Sequence, residues 1–319
     1  MHSHNLSVHD LWLIGAGPMA QEYAHVLTAL RREFIVIARG DNSAQKFESV
    51  FGVNVVRGGL RLALNISPAP NYAIVSVSID QLKNVTLDLL ESGCKNILLE
   101  KPGGLDEEEI GVISKAAVFA DANIFIGYNR RFFDSIIKAE SIIKEDGGVT
   151  SARFQFTEFG SKIALLKHPK QVKERWALSN SSHVFDAFVL LCGRPKKINI
   201  EVSGRLDWHP AGSIFCGSGI TENSVLFSYH ANWSSGGSWG IELFTQKRCL
   251  ILKPMEKLFA LSTNSFYPAE VDLGHPRQGL KYGLLKQVDA FLKKDFSRMC
   301  SVEEQEKNMR IYSKMAGYR

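Results

Sequence analysis

The first ten residues hold three histidines and no apolar core, and four consecutive apolar positions follow: Leu11, Trp12, Leu13 and Ile14. A short apolar run bounded by turn residues is the pattern of a buried strand. Met19, Tyr23, Leu27 and Leu30 then recur at helical spacing. Residues 34–38 and 72–77 are again short and apolar, as strands are. Residues 81–92 form an amphipathic pattern with Leu82, Val85, Leu89 and Leu90 on one side, closed by Gly93. An apolar run ends at Leu99. Asp106 to Glu109 has the spacing of an acidic N-cap with a glutamate at N3, and that helix continues through Ile110, Ile113 and Ala117. Residues 123–127 read as another strand. Strands alternating with helices predict a parallel sheet with right-handed crossovers.

Beyond residue 127 the rhythm changes. Residues 132–145 are helical in pattern, with Ile136, Ile137, Ile142 and Ile143 apolar and Gly147-Gly148 at the end. Residues 151–157 alternate apolar and polar, as a half-exposed strand does. Lys162, Lys167, His168, Lys170 and Lys173 mark a basic loop or short helix. Ser179 and Asn180 are natural N-caps for a helix that ends near Gly193. The remainder is strand-like over 198–202, 224–233, 239–245, 249–252 and 258–261, with loops rich in Gly, Ser and Asn. This suits an antiparallel sheet with one face covered, and it leaves Phe227, Tyr229, Trp233 and Phe244 as an apolar face for a second copy of the chain. Gly274-His275-Pro276-Arg277 reads as a loop. Residues 280–294 are amphipathic, and Ser301 with Glu304 has capping-box spacing for a terminal helix.

A chain of 319 residues exceeds the size at which one core usually stops growing, so two domains are expected, 1–127 and 128–319. The net charge of +5, from 38 basic and 33 acidic residues, carries no long basic run; it mildly favours an anionic ligand and does not argue for nucleic acid, so no nucleic-acid partner is expected. Five scattered cysteines without a Cys-x-x-Cys pair suit a reducing compartment and provide no metal framework. No secretory leader and no membrane-length apolar run is present, which points to the cytoplasm.

The chemistry concentrates at strand ends. Gly15-Ala16-Gly17-Pro18-Met19-Ala20 directly follows the first strand and is the G-x-G-x-x-A form of the dinucleotide fingerprint. Gly15 permits the tight turn, Gly17 lets backbone approach a pyrophosphate, and Pro18 suits the first helical position. The end of the second strand carries Arg39 where an NAD site usually places an acid. An arginine there can pair with a 2′-phosphate, which favours NADP over NAD, although Asp41 is within reach of a ribose. Glu100-Lys101-Pro102-Gly103-Gly104 closes an apolar strand with two charges, at the strand end where open parallel sheets bind ligands. His183 falls in the first turn of its expected helix, where the dipole keeps the ring neutral and able to accept a proton.

These motifs, followed by Gly127-Tyr128-Asn129-Arg130-Arg131-Phe132, occur in the order and at about the spacing of the glucose–fructose oxidoreductase/inositol dehydrogenase (Gfo/Idh/MocA) family. The chain resembles that family closely in its first half and loosely beyond. The resemblance implies an α/β N-terminal Rossmann domain with a doubly wound parallel sheet, and an α+β C-terminal domain with a large, mostly antiparallel sheet. It implies hydride transfer between NAD or NADP and a carbinol or carbonyl carbon of a sugar, polyol or sugar nucleotide, in a homo-oligomer joined through the C-terminal sheets. Gly15, Ala16, Gly17, Pro18, Met19, Arg39, Ser78, Glu100 and Lys101 would hold the cofactor. Lys101 and His183 would be catalytic, and Tyr128, Arg130 and Asn180 would join them around the substrate. Asp186, three residues after His183, matches the family. Two departures stand out. Ser78-Ile79-Asp80-Gln81-Leu82-Lys83 replaces a segment that many members write Thr-Pro-x-x-x-His, and Ser179 occupies the place of a common aspartate, with Asn180 as a substitute. Two further readings are a family-derived NAD(P)-binding regulator without turnover, and a glycosidase that oxidises a neighbouring carbon transiently with tightly held NAD.

Overall fold

The computed structural model describes residues 10–274 and 279–318, so His275, Pro276 and Arg277 lie outside the described residues. The chain divides into two compact units, Met1–Gly127 with Gly279–Glu306, and Tyr128–Gln278 with Lys307–Arg319.

The first unit runs β1 (Leu11–Ile14), α1 (Pro18–Ala29), β2 (Ile35–Ile37), α2 (Asp41–Phe51), β3 (Val55–Val56), α3 (Leu60–Ile66), β4 (Tyr72–Val75), α4 (Leu82–Glu91), β5 (Asn96–Leu99), α5 (Glu107–Phe119) and β6 (Asn123–Ile126). These strands lie in the order β6-β5-β4-β1-β2-β3 and pair in parallel throughout. This is the doubly wound order, with its topological switch at β1. Burial explains the composition: every residue of β1, β2 and β5 is buried, as a parallel sheet covered on both faces requires. The Asp106 side chain accepts from Glu109 N at 3.1 Å and caps α5 as its spacing predicts. The segment α2–β3–α3 was not legible, because α2 buries only Ala44 and Phe47 and β3 has two residues.

The second unit contains α6 (Asp134–Glu145), β7 (Ser151–Phe156), α7 (Gly160–Ala164), α8 (Lys170–Glu174), α9 (Ser182–Cys192), β8 (Pro195–Ser203), β9 (Ile214–Thr221), β10 (Leu226–Asn232), β11 (Trp239–Phe244), β12 (Arg248–Leu252), β13 (Phe259–Ser262) and β14 (Ala269–Glu270). Its eight strands are ordered β14-β13-β12-β11-β7-β10-β9-β8, antiparallel except for β7 beside β10. α9 lies on one face, where Phe188 meets Phe154 at 4.6 Å and Phe227 at 5.1 Å, and Phe185 meets Phe156 at 4.7 Å. Phe227, Tyr229 and Trp233 are therefore core residues of the unit, and Phe244 is half-buried; they do not form the open apolar face expected. Period-two alternation defines two faces without saying which is covered, and the almost wholly apolar α9 covers this one. The opposite face is polar, with Arg153 paired to Glu242 at 2.6 Å.

The expected boundary at 127/128 coincides with the division, but Gly279–Glu306 belongs with the first unit instead of the second. There α10 (Leu284–Leu292) sets Phe291 edge-on to Tyr72 at 5.7 Å, and β15 (Cys300–Ser301) extends the parallel sheet antiparallel to β6. A two-residue strand leaves no periodicity to read. α11 (Val302–Met315) follows. Among the described residues no helix is long and apolar enough to cross a membrane.

Candidate active site

The β1–α1 turn has the shape its glycines predict. Gly15 has φ +119°, and a Cβ there would stand 2.1 Å from Ser76 O, so no side chain fits. Gly17 is the N-cap of α1, with no side-chain cap and nothing within 4 Å of a Cβ position. Pro18 occupies the first helical position. The amide edge of α1 is thus open for an anion, and the turn fits a dinucleotide pyrophosphate. Ala16 is buried beside it and Met19 is half-buried.

Arg39 is exposed just past β2, as a 2′-phosphate partner would be. Ser78, exposed after β4, belongs to the same rim. Burial favours the neutral form of Asp80, but hydrogen bonds from Gln81 and Ser78, with the nearby Arg39 cation, hold its carboxyl below the ordinary value. A second cation here escaped the sequence reading. Arg57 grips Glu48 through two contacts at 2.7 and 2.9 Å and stands 3.4 Å from Asp41. Asp41 is drawn into that ion pair.

Glu100 and Lys101 sit at the carboxyl end of β5. Tyr23 of α1 donates its hydroxyl to Glu100 Oε1 at 2.6 Å. Burial raises the Glu100 carboxyl, opposed by that hydrogen bond and by the Lys101 and Lys281 cations. Gly127 closes the arrangement: a Cβ there would lie 3.2 Å from both Glu100 Oε1 and the Tyr23 hydroxyl. The Lys101–Pro102 peptide is cis, and Gln305 donates to Pro102 O at 2.8 Å. Lys101 itself is half-buried.

In the second unit, His183 is buried on α9, with the Tyr128 ring 5.8 Å away edge-on and Trp239 at 6.3 Å. The Arg130 guanidinium lies 4.9 Å over the Trp239 ring and 5.6 Å over Phe133. Burial pushes Arg130 down to about 10, against the pull of Glu256 and Glu158, and its Nε makes no hydrogen bond among the described residues. Arg131 and Asp186, both buried, form an ion pair with contacts of 2.6, 2.9 and 3.1 Å that ties the 129–132 turn to α9. Asp186 is thus a structural anchor for the helix that carries His183.

The helix does not begin where its N-cap residues suggest. Residues 177–181 form a π-helical turn that continues into α9, and Ser179 N donates to Arg175 O at 2.9 Å. His183 is therefore well inside a helical run, and the expected dipole effect of a free N-terminus does not apply to it. The Ser179 hydroxyl donates to Val172 O at 3.1 Å. The carboxylate of this region comes instead from Glu158, just past β7. It accepts from Asn180 Nδ2 at 3.0 and 3.3 Å and from Ser181 Oγ at 2.8 Å. Glu158 and Trp239 are site residues that the sequence reading missed. Their signal was positional: Glu158 lies just past β7, and Trp239 begins β11, which pairs antiparallel with β7 so that Trp239 stands opposite Phe156. Of the basic segment, Lys162, Lys167, His168 and Lys170 are exposed, and Lys173 donates to Ala164 O at 2.8 Å.

Residues 11–128 match the family described as the oxidoreductase family, NAD-binding Rossmann fold (GFO_IDH_MocA). The match covers the strands and helices of the first unit up to Tyr128. Solved structures share the fold over nearly the whole chain. A levoglucosan dehydrogenase in complex with NADH is 15% identical with a TM-score of 0.79, covering 96% of each chain. An oxidoreductase from Agrobacterium radiobacter in complex with NAD+, L-tartaric acid and magnesium is 11% identical, with a TM-score of 0.79 over 95% of this chain and 94% of the other. A UDP-N-acetylglucosamine 3-dehydrogenase from Acidithiobacillus ferrooxidans is 14% identical, with a TM-score of 0.74 over 97% of each chain. No curated protein matches the sequence. The first unit matches an NAD-binding Rossmann-fold family, and the second unit has the large, mostly antiparallel sheet that the resemblance implies.

Proposed function

We propose that the protein is an NAD(P)-dependent dehydrogenase or reductase acting on a CH–OH carbon of a sugar, polyol or sugar-nucleotide substrate. The observation that carries this reading is the uncapped, open Gly17 edge of α1 within a matched NAD-binding domain. When bound there, the nicotinamide cofactor supplies or accepts the hydride. Gly15, Ala16, Gly17, Pro18 and Met19 hold the pyrophosphate, and Arg39 and Ser78 the adenosine ribose or its 2′-phosphate. Glu100, its carboxyl raised by burial and held by Tyr23, fixes the turn from which Lys101 acts.

In this reading His183 takes or returns the hydroxyl proton, and Lys101 carries the charge that develops on the same oxygen. Tyr128, Arg130 and Asn180 orient the remaining hydroxyls. The buried Tyr128 and the half-buried Trp239 flank His183, which supports proton transfer at a site shielded in part from bulk water. The solved structures bound to NADH, and the dehydrogenases acting on levoglucosan and a UDP-sugar, support the substrate class. A homo-oligomer joined through the polar outer face of the eight-stranded sheet, in the cytoplasm, completes the proposal.

Incubating the protein with NAD+ or NADP+ and a panel of sugars and polyols, and following nicotinamide reduction, tests it. Stoichiometric reduced cofactor with an oxidised product is the expected result. Glycoside cleavage without net redox change would assign the transient-oxidation glycosidase instead. Cofactor binding with no turnover across the panel would assign a regulator.

A further inference from the structure

We propose that Glu158 is a positioning residue that fixes which atom of Asn180 meets the substrate, making a hydroxyl group beside the reacting carbon a requirement of this site. The proposal rests on the function proposed above. Glu158 is buried, with 7% of its surface exposed. Its Oε1 accepts from Asn180 Nδ2 at 3.0 Å and from Ser181 Oγ at 2.8 Å, and its Oε2 accepts from the same Nδ2 at 3.3 Å. An ionised carboxylate has no proton to donate, so only the NH2 end of an amide can face it. A flipped Asn180 would set two oxygens against each other in a buried place, where repulsion is poorly screened. Glu158 also pulls on the Arg130 cation, against the lowering by burial.

The consequence lies at the other end of the amide. Asn180 is half-buried, whereas Ala177, Leu178, Ser179 and Ser181 of the same turn are buried. Its Oδ1 makes no hydrogen bond among the described residues. The site thus presents an acceptor three residues ahead of His183. A hydroxyl hydrogen satisfies that acceptor. A methoxy, keto or deoxy position does not, and it leaves a polar group unpaired on binding. A vicinal diol, with one hydroxyl oxidised and its neighbour held by Asn180, is the substrate class this geometry selects.

The experiment compares wild type and Glu158→Gln, each with its cofactor, using D-glucose and myo-inositol with their monodeoxy and mono-O-methyl analogues. Wild type should prefer the parent compound over at least one deoxy analogue by about tenfold to hundredfold in kcat/KM. Glutamine can pair with either end of Asn180, so in Glu158→Gln the preference should fall to within about threefold. An unchanged preference in the variant overturns the proposal, as does a wild type that turns over the parent without discriminating. A second readout needs no turnover: the side-chain amide resonances of Asn180 in 15N-labelled cofactor-bound protein. They should titrate with the Glu158 carboxyl in wild type and lose that transition in Glu158→Gln. Identical pH profiles in both proteins overturn the proposal even if no compound of the panel is oxidised, an outcome that would separately remove the functional reading.

Discussion

Tyr23, on the helix that follows the glycine fingerprint, donates its hydroxyl to Glu100 at 2.6 Å, so the fingerprint helix and the Glu-Lys-Pro turn are joined by one buried hydrogen bond. Tyr23→Phe removes the donor and leaves the carboxyl buried with one partner fewer. Denaturant unfolding should show a loss of about 1–3 kcal/mol. The Glu100 carboxyl is raised in the folded protein, so the folded state holds its proton where the unfolded chain releases it. That contribution is full below the ordinary value of 4.5 and is lost as pH rises through the folded value. Glu100→Gln should therefore gain stability relative to wild type as pH rises above about 4.5. A difference that does not change with pH would contradict this.

The Arg131–Asp186 pair is buried on both sides, at 3% and 0% exposure. Removing one charge strands the other in a low-dielectric interior. Asp186→Asn should cost about 3–5 kcal/mol, read as a lower denaturant midpoint. An unchanged midpoint would show that Asp186 is not the anchor of the 129–132 turn.

His209 offers a pH test in the second unit. Its Nδ1 meets Gly212 O at 2.7 Å and its Nε2 meets the Tyr318 hydroxyl at 2.7 Å, while that hydroxyl accepts from Ala177 N at 3.0 Å. Burial lowers His209 from 6.5 to about 4. The unfolded chain takes up the proton first, so the stabilisation present above pH 6.5 is lost as pH falls towards about 4. The loss should be on the order of 3 kcal/mol, and His209→Gln should flatten it. Unfolding curves from pH 7 to pH 4 with the same slope in both proteins would contradict the assignment.

Cofactor choice turns on Arg39, since Arg57 is engaged by Glu48 and Asp41. NADPH should bind more tightly than NADH, and Arg39→Ala should weaken NADPH by about tenfold to hundredfold with little effect on NADH. Fluorescence titration of both cofactors decides it; equal affinities in wild type would contradict the preference for NADP.

The N-terminal unit was legible because its parallel strands are continuous apolar runs with glycine, proline and acidic caps at the joints, as at Ile14-Gly15 and Asp106. The α2–β3–α3 segment and β15 were not, because they bury too few residues to leave a period. In the antiparallel sheet the strands were visible but not the covered face, so Phe227 and Tyr229 were expected on a face for a second copy of the chain when they pack under α9. Glycines in β9 hid that strand. At the site, His183, Asn180, Tyr128 and Arg130 fall in one neighbourhood, but Ser179 and Asn180 read as helix caps although the backbone continues through them as a π turn. Glu158 lies 22 residues from Asn180 in sequence, and only tertiary packing joins them.

The proposed function assigns the substrate proton to His183 and the developing charge to Lys101. Stopped-flow measurement of the first turnover, with wild type, Lys101→Met and His183→Ala saturated with cofactor, tests it most directly. Both variants should bind the cofactor as wild type does and reduce it more slowly by on the order of a hundredfold to a thousandfold, the His183→Ala defect easing as pH rises and solvent replaces the base. Wild-type first-turnover rates in both variants would contradict the claim.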